Sequence, residues 1–319
     1  MGSAMATVAV KRRHDVRLWG TWLDDDLLDA VERGDVHPRL RLTLDGMRVL
    51  RAPKLEEALD GADLVIHCIN SDGAVTVMQK ARTLLPDVPI LSVTKGFLQG
   101  RAGKMVRIDE ALTETAEHPL RFVHAAGPAK AMEIARGVLT WMVFAGPDAR
   151  ACAQALAGDH LQVELSDDLA GAEMCSALKN AYATGLGIWD GLVGKDAHNA
   201  RAACFTQSIV EMRRLVLAGG GREATVIGAP GVGDLHVTAA GGRNRAFGER
   251  IGAGQPARAV AAAMLAAGEL TEGYAAIAAA WRFAREHGIS DLPLLGALHA
   301  IVWEDSPVGA TIAGLRLVS

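Results

Sequence analysis

The chain has 319 residues, of which 50% are hydrophobic and 22% are charged, and this length is enough for two domains with separate cores. Its formal net charge of -4 argues against a general nucleic-acid-binding surface, which requires an excess of basic residues. No run of about 18 apolar residues occurs, and residues 1–10 are too short and too weakly apolar for a secretory signal. We therefore expect a cytoplasmic protein that binds neither a membrane nor nucleic acid. The four cysteines lie far apart in apolar segments, which indicates buried, reduced thiols and neither a metal site nor a disulfide framework.

Strand and helix patterns alternate along the first half of the chain. Strand-like apolar runs occupy five segments, at residues 15–19, 64–69, 89–93, 121–125 and 139–144. Helical patterns separate these runs, so we predict a Rossmann-like, doubly wound α/β domain with a parallel sheet over residues 1–165. Beyond residue 165 the patterns are helical, at residues 168–192, 199–217, 256–267 and 274–287. We therefore predict an all-helical second domain over residues 166–319.

The start of the chain departs from a complete dinucleotide-binding domain. Such a domain opens with a strand and a Gly-x-Gly-x-x-Gly turn, which places a pyrophosphate at a helix N-terminus. Here a helical pattern begins at once at Gly2, and the strand at residues 15–19 stands where a second strand belongs. We expect Gly2 to be the third glycine of a turn that was truncated together with the first strand, through a late gene start or a true loss. The alternative is an ordinary methionine start on a helix that never had the turn.

A lysine stands in the middle of the most apolar helical pattern, at residues 168–192. Lys179 is anomalous there because a buried ammonium is costly unless it is paired or neutralised. One interpretation is a lysine whose stem is covered and whose head reaches water. The other is a lysine beside a cleft with a lowered pKa, suited to proton transfer. Gly185, Gly187 and Gly191 of the same segment provide small positions where another backbone could pack closely.

Two predicted strands end in polar loops. Lys95 and Gly96 follow the strand at residues 89–93, and the segment 127–131 (Gly-Pro-Ala-Lys-Ala) follows the strand at residues 121–125. Ligands of open α/β sheets bind at the carboxyl ends of the strands, so both loops are candidates for ligand contacts. A Lys-Gly pair is also common in ordinary turns.

The helical half contains two glycine-rich segments close together in the sequence. Residues 231–235 read Gly-Val-Gly-Asp-Leu, and residues 241–245 read Gly-Gly-Arg-Asn-Arg. In the second segment the glycines free backbone N–H groups, and the following residues can form a helix whose N-terminus faces an anion. This arrangement favours a site for a phosphate monoester; the alternative is a basic helix start on the surface.

Taken as an ordered set, these motifs resemble those of the NAD(P)-dependent glycerol-3-phosphate dehydrogenases of bacteria and archaea. The resemblance runs from Gly2 to about Gly309 and rests on six short motifs: Thr94-Lys95-Gly96, Gly127-Pro128, Ala177-Leu178-Lys179-Asn180, Gly233-Asp234-Leu235, Gly242-Arg243-Asn244-Arg245 and Glu272-Gly273. It implies that Lys179 is the catalytic acid/base. It implies substrate contacts at Lys95, Gly127, Ala129, Asp234, Gly242, Arg243 and Asn244. It implies cofactor contacts at Lys95, Ala131, Arg243 and Glu272. Gly2, as the third glycine of the truncated turn, is a further candidate for a cofactor contact.

Two positions differ from the family pattern, in addition to the missing turn. The family usually has Ser or Thr at the place of Ala129, and often Ser at the place of Gly242, so two hydroxyl groups are absent while the backbone donors remain. The choice between NAD and NADP stays open, because Gly20 and Thr21 provide neither an acidic residue nor an arginine at the end of the second strand. The acidic residues 24–26, slightly farther on, would disfavour a 2′-phosphate.

The resemblance implies an oxidoreductase that interconverts dihydroxyacetone phosphate and sn-glycerol 3-phosphate, a precursor of phospholipids, and acts as a homodimer. Two alternatives remain at the level of the sequence. The first is a related dehydrogenase of another small hydroxy acid or phosphate, which the phosphate-binding segment at residues 241–245 disfavours. The second is a non-catalytic binding protein that has lost its nucleotide turn, which the joint presence of Lys95, Lys179 and Asp234 disfavours.

Overall fold

The computed structural model describes residues 1–269 and 271–316, and these fall into two compact units. The first unit comprises Met1–Thr94 and Asp109–Leu169. The second comprises Lys95–Ile108 together with the chain from Ala170 onward. The sequence patterns had placed the segment Lys95–Ile108 in the first domain, and the structure assigns it to the second unit.

The first unit contains parallel sheet flanked by helices. Its strands are β1 (Arg17–Trp19), β2 (Arg48–Leu50), β3 (Val65–His67), β4 (Ile90–Ser92), β7 (Phe122–Ala126), β8 (Thr140–Ala145) and β9 (Leu161–Ser166), and two further strands, β5 (Leu98–Gln99) and β6 (Met105–Val106), form an antiparallel pair in the second unit. Strands β1 and β2 pair in parallel with each other, and the remaining five form a sheet in the order β3-β4-β7-β8-β9. Its helices are α1 (Gly2–Lys11), α2 (Asp25–Glu32), α3 (Leu55–Leu59), α4 (Ser71–Ala81), α5 (Ile108–Ala116), α6 (Ala131–Arg136) and α7 (Ala149–Leu156).

The central strands of the five-stranded sheet are apolar because both faces are covered. Leu91, Val123 and Phe144 are fully buried in the core of this unit. Neighbouring strands β3, β4 and β7 are parallel, with Ile66, Leu91 and Val123 in register. This confirms the predicted Rossmann-like architecture, in which parallel strands buried on both faces are near-continuous apolar runs.

Three features of the first unit depart from the predicted sheet. Strand β8 runs antiparallel to β7, so the sheet is mixed where a fully parallel sheet was predicted. Strand β9 was not predicted because it lacks a continuous apolar run, although the alternation of its apolar and polar residues is the pattern of a half-buried strand; most of its side chains are partly or fully exposed at the edge of the sheet. Strand β2 was missed because it has three residues and its first is an exposed arginine, too little for a periodic signal.

The second unit is helical apart from the short β5–β6 pair. Its helices are α8 (Leu169–Val193), α9 (His198–Ala218), α10 (Glu223–Ile227), α11 (Asp234–Ala239), α12 (Arg243–Gly252), α13 (Ala257–Ala266), α14 (Glu272–Glu286), α15 (Pro293–Trp303) and α16 (Val308–Ala313). The β5–β6 pair belongs to this unit because Phe97 stacks on Phe283 with ring centroids 4.8 Å apart, and the Met105 N–H donates to Glu286. Among residues 1–269 and 271–316, no helix is long and apolar enough to cross a bilayer.

Helices α8 and α12 touch backbone to backbone. A Cβ on Gly187 of α8 would lie 2.2 Å from the backbone oxygen of Arg245 in α12. Cβ atoms on Gly191, Gly248 and Gly252 would each lie 2.1 Å from a backbone oxygen of the facing helix. No side chain fits at such distances, so these glycines set the separation of the two helices. The close approach that the sequence suggested is confirmed for Gly187 and Gly191.

We predict that Gly187→Ala destabilises the second unit, because its methyl group would overlap the α12 backbone. The expected loss is about 1–3 kcal/mol of unfolding free energy, measured by chemical denaturation. Gly309→Ala is the matched control, since a Cβ on Gly309 meets no atom within 4 Å, and its effect should be at most about 1 kcal/mol. Equal denaturation midpoints for the two variants would show that the α8–α12 contact is loose.

Candidate active site

The site is built around Lys179 in the middle of α8. This helix is buried on all sides, from Gly171 to Asp190, so it forms the centre of the helical unit. The side chain of Lys179 is 8% exposed. Its head therefore lies inside the protein, and the interpretation in which it reaches water does not hold.

The ammonium of Lys179 is paired with the carboxylate of Asp234. Lys179 Nζ lies 2.5 Å from Asp234 Oδ1. Asp234 is the first residue of α11 and follows a π-helical turn, Ala229–Gly233. Within this turn a Cβ on Gly231 would lie 2.0 Å from the backbone oxygen of Val226, so a residue without a side chain is required there. The turn therefore places Asp234 against α8.

The second carboxylate oxygen of Asp234 is buried and has no hydrogen-bond partner among the residues that the structure describes. Buried polar atoms in native proteins are nearly always paired, and an unpaired one costs about 1–3 kcal/mol. Because Asp234 is 1% exposed, the oxygen is also shielded from bulk water. This oxygen is a ready acceptor for a hydroxyl group of a ligand.

The electrostatics around Lys179 lower the pKa of its ammonium below the ordinary value for lysine. Burial is the largest cause, since it disfavours the charged form. The carboxylate of Asp234 raises the pKa, while the like charge of Lys95 lowers it, and Glu272 raises it slightly. Lys95 is partly buried at the start of the second unit, so two lysines and an aspartate lie in one site.

The residue after the lysine ties three elements together. Asn180 donates through Nδ2 to Glu272 at 2.7 Å and accepts from Asn244 Nδ2 at 2.9 Å. The side-chain oxygen Oδ1 of Asn244 accepts in turn from the Gly273 backbone N–H at 2.9 Å. The predicted positions 244 and 272 are thereby joined to the helix of Lys179. The sequence patterns gave Asn180 no role, and its place next to the lysine was the one available signal.

The glycine-rich segment at residues 241–245 forms the start of α12. Gly242 precedes the helix with φ +116°, a conformation that favours glycine, and no side chain caps the helix. The first backbone N–H groups of α12 therefore lack intrahelical partners and are suited to an anion. A Cβ on Gly242 would meet no atom within 4 Å, and Arg243 is exposed, so the space before the helix is open.

The side chain of Asn244 has a structural task in addition to the substrate contact that the resemblance implies. It is buried, and its Oδ1 and one N–H of its side-chain amide are engaged within the protein. The side chain therefore holds the loop against α8, and the substrate contact at Asn244 stays a prediction.

The remaining predicted positions lie in the first unit. Gly127 ends β7 with φ +110°, and a Cβ there would lie 3.3 Å from the backbone oxygen of Trp141, so glycine is required. Ala129 follows it, and Ala131 begins α6; both are partly buried and pack against the core of this unit. Gly2 begins α1. The structure thus gathers Lys95, Lys179, Asp234, Gly242, Arg243, Asn244 and Glu272 in one unit and Gly2, Gly127, Ala129 and Ala131 in the other.

The position of Gly2 fits a dinucleotide turn. A Cβ on Gly2 would lie 3.2 Å from the Cβ of Cys68, which follows β3, so α1 packs tightly on the end of this strand. Close helix–strand packing is the role of the third glycine in such a turn. No side chain caps α1, whose N-terminus is therefore suited to a pyrophosphate.

Comparison with known families identifies the family of the chain. Residues 1–152 match the family described as the N-terminus of NAD-dependent glycerol-3-phosphate dehydrogenase, and residues 168–313 match the C-terminus of the same family. A relative from Archaeoglobus fulgidus, an NADP(+)-dependent glycerol-3-phosphate dehydrogenase, is 31% identical over 95% of this chain and 92% of its own length. A glycerol-3-phosphate dehydrogenase [NAD(P)+] from Symbiobacterium thermophilum is 35% identical over 96% of this chain and 88% of its own.

Solved structures lead to the same family. The crystal structure of glycerol-3-phosphate dehydrogenase from Coxiella burnetii superimposes with a TM-score of 0.84 and 27% identity, over 98% of this chain and 95% of that one. A ketopantoate reductase from Ralstonia eutropha shares the fold more distantly, with a TM-score of 0.56 and 16% identity over 97% of this chain and 94% of that one. With both family regions matched along nearly the whole length, the chain belongs to the NAD-dependent glycerol-3-phosphate dehydrogenase family.

Proposed function

We propose that this protein interconverts dihydroxyacetone phosphate and sn-glycerol 3-phosphate with NAD or NADP. The observation that carries the proposal is the buried pair of Lys179 and Asp234, 2.5 Å apart, in the same unit as the open N-terminus of α12. A proton donor and an anion site are the two features that reduction of a phosphorylated ketone requires. The family and its relatives support the same reaction.

The nicotinamide cofactor, when bound, supplies the hydride that is exchanged with C2 of the substrate. The residues of the protein supply the proton and the charge stabilisation. In the reducing direction the ammonium of Lys179 donates a proton to the oxygen at C2 as negative charge develops there. In the oxidising direction the neutral amine takes the proton back. Its lowered pKa brings the two protonation states closer in free energy at neutral pH.

The other residues of the site have distinct tasks in the proposed mechanism. Lys95 stabilises the developing oxyanion, and the unpaired oxygen of Asp234 accepts a hydrogen bond from a substrate hydroxyl. The backbone N–H groups at the start of α12, together with Arg243, bind the phosphate. Gly2 and the start of α1 hold the pyrophosphate of the cofactor.

Two further properties complete the proposal. We propose that the protein works as a homodimer and that it lies in the cytoplasm, as the resemblance implies. Sedimentation analysis of the purified protein measures its oligomeric state. A monomer at micromolar concentration would contradict the dimer.

The purified protein should oxidise NADH or NADPH when dihydroxyacetone phosphate is added. The reaction is measured as the loss of absorbance of the reduced nicotinamide. Titration with both reduced cofactors gives the preference between them. Dihydroxyacetone, which lacks the phosphate, should react more slowly because it leaves the anion site empty. Preference for a non-phosphorylated substrate would favour the related hydroxy-acid dehydrogenase, and absence of saturable NADH binding would favour the non-catalytic protein.

We predict that Lys179→Met lowers kcat by about 10²–10⁴-fold, because the proton donor is lost. Binding of NADH, measured by fluorescence titration, should stay close to that of the wild type. Lys195→Met is a control on the same chain, since Lys195 is 66% exposed and pairs with Glu249 at the surface. Retention of wild-type turnover in Lys179→Met would remove the lysine from the mechanism.

Substitutions at the two neighbouring charges should move the pKa of Lys179 in opposite directions. Lys95→Met removes a like charge, so the pKa of Lys179 should rise. Asp234→Asn removes the opposite charge that raises this pKa, so it should fall. The measurement is an NMR titration of lysine labelled with carbon-13 at Cε, which does not depend on turnover. Shifts of the same sign in both variants would contradict the charge arrangement.

A further inference from the structure

The side chain of Arg245 holds the segment of chain that leads into α12. Its Nη1 donates to the carbonyl oxygens of Ala239, at 3.3 Å, and Ala240, at 3.0 Å, where α11 ends. Its Nη2 lies 2.8 Å from Asp190 Oδ2, and its Nε lies 3.1 Å from Glu249. Each nitrogen of the guanidinium therefore lies close to a group of the protein: Nη1 donates hydrogen bonds, while Nη2 and Nε are held in ion pairs, and Nε makes no hydrogen bond with the described residues.

The partner that fixes Arg245 is a fully buried carboxylate on α8. The side chain of Asp190 is 0% exposed, so its charge requires cationic partners. Among the residues that the structure describes it has two, Arg245 and Arg201, and the Arg201 Nε lies 3.0 Å from Asp190 Oδ1. The two arginines differ in their other contacts and in their exposure. Arg245 also donates to the carbonyl oxygens at the end of α11, whereas Arg201 lies on α9 and is more exposed.

The backbone of Arg245 is fixed on the same helix as its side chain. Its carbonyl oxygen meets Gly187, one turn before Asp190 on α8. Lys179 lies on this helix eleven positions before Asp190 (190 − 179), which corresponds to about 16 Å along the axis. One buried helix thus carries both the proposed proton donor and the residue that anchors Arg245.

From this geometry we propose that the Asp190–Arg245 pair is a positioning device that sets the distance between the phosphate-binding loop, residues 241–244, and Lys179. The inference rests on the proposed function, since it takes the loop to be the phosphate site. Arg245 braces the end of α11 against α8 and so fixes where the loop begins. Arg245 itself is a positioning residue and touches no substrate.

The experiment compares Arg245→Met with Arg201→Met in the full-length protein. Both substitutions remove one arginine from Asp190, and Arg245→Met alone releases the end of α11. Inorganic phosphate is titrated into each protein by calorimetry, and NADH binding is measured in parallel. Arg245→Met should weaken phosphate binding by about 10–100-fold, as the loss of one hydrogen bond from the loop to the charged phosphate predicts. Arg201→Met should stay within about 2-fold of the wild type, and NADH binding should be unchanged in both.

Steady-state kinetics add a readout that loss of general stability would not produce. Arg245→Met should lower kcat for dihydroxyacetone phosphate as well as raise KM, because substrate held by a displaced loop is misplaced relative to Lys179, whereas Arg201→Met should change neither by more than about 2-fold. If Arg245→Met does not fold, Arg245→Lys takes its place. A lysine keeps the charge beside Asp190, but its single ammonium cannot span the carboxylate and two carbonyl oxygens.

Several outcomes would overturn the proposal. They are unchanged phosphate binding in the folded Arg245 variant, equal weakening in the Arg201 and Arg245 variants, and a wild type that binds no phosphate at millimolar concentration. A wild type that binds phosphate but reduces no dihydroxyacetone phosphate would instead contradict the proposed function. The phosphate titrations of the Arg245 and Arg201 variants would then decide the positioning role by themselves.

Discussion

The second unit depends on one ion pair, that of Lys179 and Asp234 inside the helical core. An ammonium in an apolar helix is unfavourable unless a carboxylate compensates it, and a buried carboxylate has the same requirement. The pair gives each charge an opposite partner. The compensation is incomplete, because burial and the like charge of Lys95 still hold the pKa of Lys179 below its ordinary value. A lysine with a lowered pKa gives up its proton more readily than a free lysine, so the pair is suited to the proton transfer proposed above as well as to a structural role.

Helix α8 turns that pair into a site because it also carries the contacts of the other elements. Asn180 reaches Glu272 and Asn244, Gly187 meets the backbone of α12, and Asp190 holds Arg245. These contacts fix the start of α12 relative to the lysine. Electrostatic stabilisation is effective when donors are held in place before the reaction, and a single buried helix with several anchors provides such rigidity.

Much of this arrangement could be predicted from the sequence. Long apolar periodicity predicts α8 almost to its ends, one anomalous lysine marks its candidate functional residue, and Gly187 and Gly191 predict a close backbone contact. Contacts between residues far apart in the chain carry no such signal. Arg245 could not be told from Arg243 by pattern, since both are cations at the start of one helix, yet Arg243 is exposed while Arg245 is paired with a buried carboxylate. Strand β9 was not predicted for a different reason. It is an edge strand whose apolar residues alternate with polar ones, so it lacks the continuous apolar run of a buried central strand.

The unpaired oxygen of Asp234 links the stability of the unit to its selectivity. One oxygen of the carboxylate is satisfied by Lys179, while the other is buried without a donor among the described residues, at a cost of about 1–3 kcal/mol. A ligand with a hydroxyl group at this point recovers that free energy, and a ligand without one leaves the oxygen unpaired. A site that hydrogen-bonds a substrate hydroxyl rejects analogues that lack it far more strongly than an apolar pocket rejects a missing methylene. The carboxylate that stabilises the ammonium would therefore also select the substrate. The unpaired oxygen lowers the stability of the folded protein, and a hydrogen bond from a bound hydroxyl group would recover that free energy on binding.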